Sequence, residues 1–291
     1  MATNSANNVA ISPVNLLWQI EAEECIDLST VSSYDGTSFE LYEVDGTKVI
    51  VAFDLDGGSV LPTPGAGERL LEVDVTTGNT LLQNATALQA ALDGDADFSA
   101  VLSGNLVVVQ RVEVGSVQAP ADVDSGATIT VQRSGKNYNA GLIQGDIELS
   151  VAPATFIVQA QQSGVTPLAS LFQGYETLEC TSTLLETTFS QLEEIYGFYG
   201  GSTGSGATKV FGAGLNKLGN NLLIDAGRLV LRPVNAVDNT EDTVLMLAVP
   251  VPDSLVFSGE NPRTLSVTWQ GFADLSADSR YNAVAFGDLF Q

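Results

Sequence analysis

The residues able to do chemistry in this sequence are few, and they come without histidine, which the chain lacks altogether. That removes Ser-His-Asp and Cys-His catalysis, His-ligated zinc or iron, and imidazole pH switching. The turn Asp54-Leu55-Asp56-Gly57-Gly58 has the opening of a calcium loop. An EF-hand needs an acid at the last position of its loop, where this sequence has Gly65, so the stretch reads as a turn. Lys209 and Lys217 lie among glycines, but neither falls in a Gly-x-x-x-x-Gly-Lys-Ser/Thr run, and a packing loop is the simpler reading. Glu21, Glu23, Glu24 and Asp27 cluster on an expected strand. Paired carboxylates do acid–base work when a cleft holds one protonated. Among 35 acids, clustering also arises without that purpose, and a solvated or interface face is expected. Asn84-Ala85-Thr86 matches a glycosylation acceptor, discounted because it sits on an expected helix in a chain with no signal peptide pattern. Cys25 and Cys180 are too few for a four-cysteine metal site and too far apart for a CxxC motif. A disulfide between them and two buried free thiols both fit the count. No enzyme signature emerges, and neither a catalytic residue nor a metal or cofactor site is expected.

Composition narrows the classes further. At ~150 residues per domain, 291 residues suggest two domains, and 44% hydrophobic residues can fill a sizeable core. The 35 acids against 11 bases leave a net charge of −24. Such a surface repels phosphates, which disfavours tight nucleic-acid binding and docking on anionic membranes. The first basic residue is Lys48, so no positively charged signal-peptide region opens the chain. Apolar runs such as Val244–Val249 fall far short of the ~20 residues that span a bilayer. A soluble protein is expected.

The elements that would position these residues are mostly strands. Ile147, Leu149 and Val151 alternate with Asp146, Glu148 and Ser150; Phe156, Val158 and Ala160 alternate with Thr155, Gln159 and Gln161. Leu178, Cys180 and Leu184 oppose Thr177, Glu179, Thr181 and Thr183, and Leu265, Val267 and Trp269 oppose Ser266, Thr268 and Gln270. Period-two patterns of this kind predict antiparallel strands with one apolar and one polar face. Two helices are predicted from capping boxes: Thr80 with Gln83, ending before Gly94, and Thr188 with Gln191, stopping at Gly197. The fold class is mainly β.

Residues 29–137 read as a small α+β module. Strands are expected at Phe39–Val44, Lys48–Leu55, Leu70–Val75, Phe98–Leu102 and Leu106–Val112, with turns at Asp45-Gly46 and Gly104-Asn105. Leu16–Leu28 before it and Leu142–Val151 after it both look like strands. If those two pair, the module is inserted in a hairpin of a host domain made of residues 1–28 and 138–291. Gly200–Gly206 reads as a flexible loop of that host.

The host segment resembles the tail tube (major tail) proteins of tailed bacteriophages. The resemblance rests on Gly145-Asp146-Ile147-Glu148, Gly164-Val165-Thr166-Pro167, Gly174-Tyr175-Glu176 and the helix opening Leu184–Thr188. Leu229–Pro233, Asp242–Val249, Arg263–Phe272 and Phe286-Gly287-Asp288 are similar to that family's late strands and tail. Residues 29–137 depart from its basic pattern and are similar to an accessory module of some phage structural proteins.

The resemblance implies a β-sandwich or barrel with one flanking helix. Copies would form hexameric rings, stacked into a hollow virion tail tube assembled in the host cytoplasm. The tube conducts DNA at ejection and contains the tape-measure protein without holding either tightly. Sheath, terminator or baseplate proteins are further implied partners, and no membrane is. The inserted module would sit on the outer surface of such a tube. Asp146, Glu148, Gln159, Gln161 and Glu179, on the polar strand faces, are the candidate lumen-facing residues. An alternative is a monomeric β-sandwich that binds a receptor or carbohydrate from a virion. That class needs an aromatic-lined groove, whereas Trp18 and Trp269 lie in apolar strand contexts that read as core.

Overall fold

The computed structural model describes residues 14–158, 169–185, 188–234, 236, 239–258, 262–274 and 283–287. The chain is mainly β, with large antiparallel sheets and, among the described residues, two α-helices. It divides into two compact units: residues 19–137, and the flanking residues 1–18 with 138–291. Strand β1 (Val14–Asp27) begins in the flanking unit and ends in the inner one. Leu16, Trp18, Ile20, Ala22, Glu24 and Ile26 are its buried positions, at strict alternation. That alternation runs unbroken through Trp18 and Gln19, so no change in pattern marks the boundary there. The sequence pattern places it at 28/29 instead, where the strand ends.

The inner unit continues with β2 (Ser38–Tyr42), β3 (Lys48–Leu55), β4 (Glu68–Val75) and helix α1 (Leu81–Asp93). Then come β5 (Phe98–Ser103), β6 (Leu106–Val114), β7 (Ala121–Asp122), β8 (Thr128–Arg133) and β9 (Lys136–Asn139), which reaches into the flanking unit. One sheet has the order β4-β3-β2-β7, with β3 and β4 parallel. Elsewhere β5 and β6 form a hairpin closed by Gly104-Asn105, Gly104 taking the left-handed conformation (φ +63°) that a tight turn needs. β6 and β8 pair with opposite edges of β1, and β9 also lies on β1. Thr80 caps α1 through a reciprocal box with Gln83, and Ala85, Leu88 and Leu92 enter a core with Phe39, Phe53, Val73 and Val109. The partner of β1 is therefore not Leu142–Val151. A left-handed glycine at 145 interrupts that stretch, another at 141 stands just before it, and its strand starts only at Glu148.

The flanking unit contains β10 (Glu148–Val158), β11 (Ala169–Leu184), helix α2 (Phe189–Gly200), β12 (Ser202–Thr203) and β13 (Val210–Phe211). β14 (Gly227–Pro233), β15 (Thr243–Val256), β16 (Thr264–Phe272) and β17 (Val284–Phe286) complete it. Its sheet runs β10-β11-β16-β15-β14-β1, with β17 also on β15. Trp18 and Trp269 are fully buried, their rings 5.8 Å apart, and Trp18 also meets the edge of Phe198 at 5.8 Å. Both indoles are satisfied: Trp18 Nε1 donates to the Ala248 carbonyl (3.0 Å) and Trp269 Nε1 to Ser182 Oγ (3.2 Å). Thr188 and Gln191 form the second capping box, and Leu192 and Ile195 are the buried face of α2. The helix passes through Gly197 and stops at Gly200, because Gly201 takes φ +75° and ends the repeat. The Gly200–Gly206 stretch is not a bare loop: β12 within it pairs with β13.

Candidate interaction surface

Three strands of the flanking unit present one polar face. Their register places Glu148, Thr181 and Thr268 in one row, and Ser150, Glu179 and Gln270 in the next. The opposite face of the same strands carries Leu149, Cys180 and Trp269 in a row. Glu148 and Glu179 thus stand in adjacent rows on one side of the sheet, as their parity along the strands requires. Asp146 is exposed and precedes β10. Gln159 and Gln161 lie outside the described residues, as does the Gly164–Pro167 turn.

Among the described residues β10 is the end strand of this sheet, and no described strand pairs with its outer backbone edge. β16 pairs with β11 only from Glu179 to Leu184, and among the described residues the rest of β11 pairs with β10 alone. The hairpin therefore projects as an arm two strands wide. Register shifts at Ala152/Pro153 and Ala154/Thr155 mark its root. Beyond them Phe156, Ile157, Leu171 and Phe172 are each more than half exposed. Phe156 and Ile157 are consecutive, so apolar side chains stand on both faces. Alternation predicts a buried face through Phe156 and Val158; the described part of the arm has none, because no third described strand extends alongside it. Between Glu148 and Glu176 the sequence carries no charged residue, the longest such stretch in the chain. A two-stranded ribbon is marginal in water by itself, and exposed apolar groups on it call for a cover.

A second apolar surface follows α2. Phe189 meets Phe211 edge-on at 4.5 Å, joining the helix start to β13. Gly200 touches backbone so closely that a Cβ there would fall 1.8 Å from the Gly212 carbonyl oxygen. Asn216 Nδ2 donates to the Gly200 carbonyl (2.7 Å), and Lys217 pairs with Asp225 while lying 5.3 Å from the Phe198 ring centre. Lys209 pairs with Glu193 at 2.7 Å. The two lysines singled out in the sequence thus serve ion pairs. This scaffold holds Leu215 and Leu218 about three-quarters exposed, with Val210 and Ile224 exposed nearby in sequence.

The acidic cluster of β1 divides by strand parity. Glu24 faces the core of the inner unit, whereas Glu23 pairs with Arg133 (2.9 Å), Glu21 accepts from Gln110, and Asp27 accepts from the Ser29 amide (2.8 Å). A different acidic group escapes sequence reading: Asp54, Glu72 and Asp74 bring one carboxylate oxygen each within 4.8 Å of the others. The parallel register sets Asp54 beside Asp74, and a parallel pairing leaves no local turn signal to reveal it. Desolvation, then the neighbouring Asp54 and Asp74, pushes the Glu72 carboxyl above its ordinary range. Three such oxygens suit a hard cation by type. Asp54 also accepts the Ser59 amide (2.9 Å), and Asp56, in a left-handed turn conformation (φ 57°), accepts from the amide and hydroxyl of Thr77.

Both cysteines are free. Cys25 is flanked by Val108 and Thr130 across its two strand neighbours, and Cys180 by Leu149 and Trp269. Neither thiol has the other as a cross-strand partner, so the disulfide that the count allowed is not formed. Among the described residues no helix is long and apolar enough to cross a membrane. No protein-family model matches the sequence, and no curated protein matches it either.

Proposed function

We propose that this chain is a self-assembling structural protein of the phage tail-tube type, its copies closing into rings that stack around a channel for DNA. The observation that carries the reading is the β10–β11 arm, which combines an open edge, exposed apolar residues on both faces and no charge. In a chain at −24, association has to use surfaces where acids do not oppose acids. Contact with a second copy covers the exposed arm and shields its aggregation-prone edge as the ring closes. The polar face with Glu148 and Glu179 then supplies a lining that repels phosphate and lets DNA slide. The inner unit is carried as an accessory module.

Negative-stain microscopy of the purified protein across a salt series, with light scattering on the same samples, tests this. Surface charges are screened beyond ~8 Å at physiological salt, so rings or hollow tubes should grow as salt is raised. A monomer at every salt and concentration would overturn the reading in favour of a monomeric binding module.

A further inference from the structure

Resting on the self-assembly reading, we infer that the contact between copies is head to tail, with the β10–β11 arm of one copy seated on the α2–β14 connection of a second copy. The argument starts from charge. Any contact between two chains at −24 is opposed unless it avoids acids. The arm is free of charge between Glu148 and Glu176. From Ile195 to Ile224 the only charged residues are Lys209 and Lys217, each paired with an acid just outside that stretch (Glu193 and Asp225), so the stretch itself sets no acid against an incoming chain.

Shape and chemistry agree with charge. The arm offers Phe156, Ile157, Leu171 and Phe172; the connection offers Val210, Leu215, Leu218 and Ile224, all exposed in the single chain. The connection is fixed as a surface by the Gly200–Gly212 backbone contact, the Asn216–Gly200 hydrogen bond and the Phe189–Phe211 ring pair. Two different surfaces on one chain favour a heterologous contact, which propagates into a ring, whereas arm-to-arm pairing would close at a dimer and leave the second surface uncovered.

The test uses two full-length double variants at exposed positions, Ile157→Glu/Phe172→Glu in the arm and Leu215→Glu/Leu218→Glu in the connection. Circular dichroism and thermal melting of each serve as the folding control. Under conditions where the parent chain assembles, each variant alone should sediment as a monomer. Mixed one to one, they should form a heterodimer and nothing larger, because one intact arm meets one intact connection. Assembly of Leu215→Glu/Leu218→Glu like the parent, or a mixture that stays monomeric, would overturn the head-to-tail contact while leaving self-assembly intact. A parent chain that never assembles would overturn the underlying reading and this inference with it.

Discussion

Arg111 and Glu24 form a fully buried, two-pronged ion pair in the inner unit. Arg111 Nη1 and Nη2 donate to the Glu24 carboxylate at 2.7 and 3.1 Å, and Nε donates to the Tyr42 carbonyl at 2.6 Å. The guanidinium carbon lies 4.7 Å from the centre of the Phe98 ring. Burial pushes the Glu24 carboxyl above its ordinary range against the opposing pull of Arg111, so desolvation outweighs attraction here. Arg111→Met alone should cost about 3–5 kcal/mol, because it strands a buried carboxylate. The double change Glu24→Leu/Arg111→Met should cost much less. Urea unfolding of the three chains checks this; equal losses in single and double variants would refute it.

Arg69 ties one end of β4 to the turn after α1. It donates to Asp95 (2.5 and 2.8 Å) and Asp97 (3.0 Å), and also pairs with Glu43. Burial raises the Asp95 carboxyl, but the bonds from Arg69 and the Asp97 amide overcome it, and the net shift is downward. A depressed carboxyl contributes stability above its unfolded value and loses it as pH falls through the folded value. Arg69→Met should therefore cost about 1–2 kcal/mol at neutral pH, given its partial exposure. The penalty should shrink as pH falls below the ordinary aspartate value of 3.8. Thermal melts of both chains from pH 7 to pH 3 would show it.

Thr188 accepts the Gln191 amide while Gln191 Oε1 accepts the Thr188 amide (2.9 Å). Thr188→Ala should cost about 1 kcal/mol, and Thr188→Ser should recover most of it. Chemical denaturation followed by circular dichroism is the measurement.

The two thiols should react differently. Cys180 is buried and burial pushes its thiol up to about 12, whereas Cys25 is only partly covered. A maleimide followed by mass spectrometry should label Cys25 first in the native chain, and both residues only after unfolding. Equal native rates would contradict the burial of Cys180.

Charge reversal probes the proposed channel. Glu148→Lys with Glu179→Lys should leave tubes intact and slow DNA ejection. Unchanged ejection from tubes carrying both changes would remove these residues from the lining.

What the sequence discloses depends on whether a signal is local. Lys48–Leu55 appears with the bounds read from its pattern, and both capping boxes form, because each depends on residues within a few positions. The rows Glu148–Thr181–Thr268 and Ser150–Glu179–Gln270 follow from parity once the strands pair, so the polar face was legible. The exposed arm was not: Phe156 has the same local pattern whether or not a third strand covers it. Asp54, Glu72 and Asp74 escaped for a related reason, since only the β3–β4 register unites them.

The path of β1 has a consequence for synthesis. Residues 19–137 form a contiguous unit that is complete before β10 leaves the ribosome, and domains generally fold as units in that order. Trp18, by contrast, donates to the carbonyl of Ala248, so the flanking unit has to wait for its distant half. Once the inner unit is folded, the chain on either side of it is no longer joined by a long floppy loop but by a compact body. The entropy of closing the flanking sheet on β1 is thereby largely met in advance. An insertion that looks like a burden on the host would then act as its folding guide.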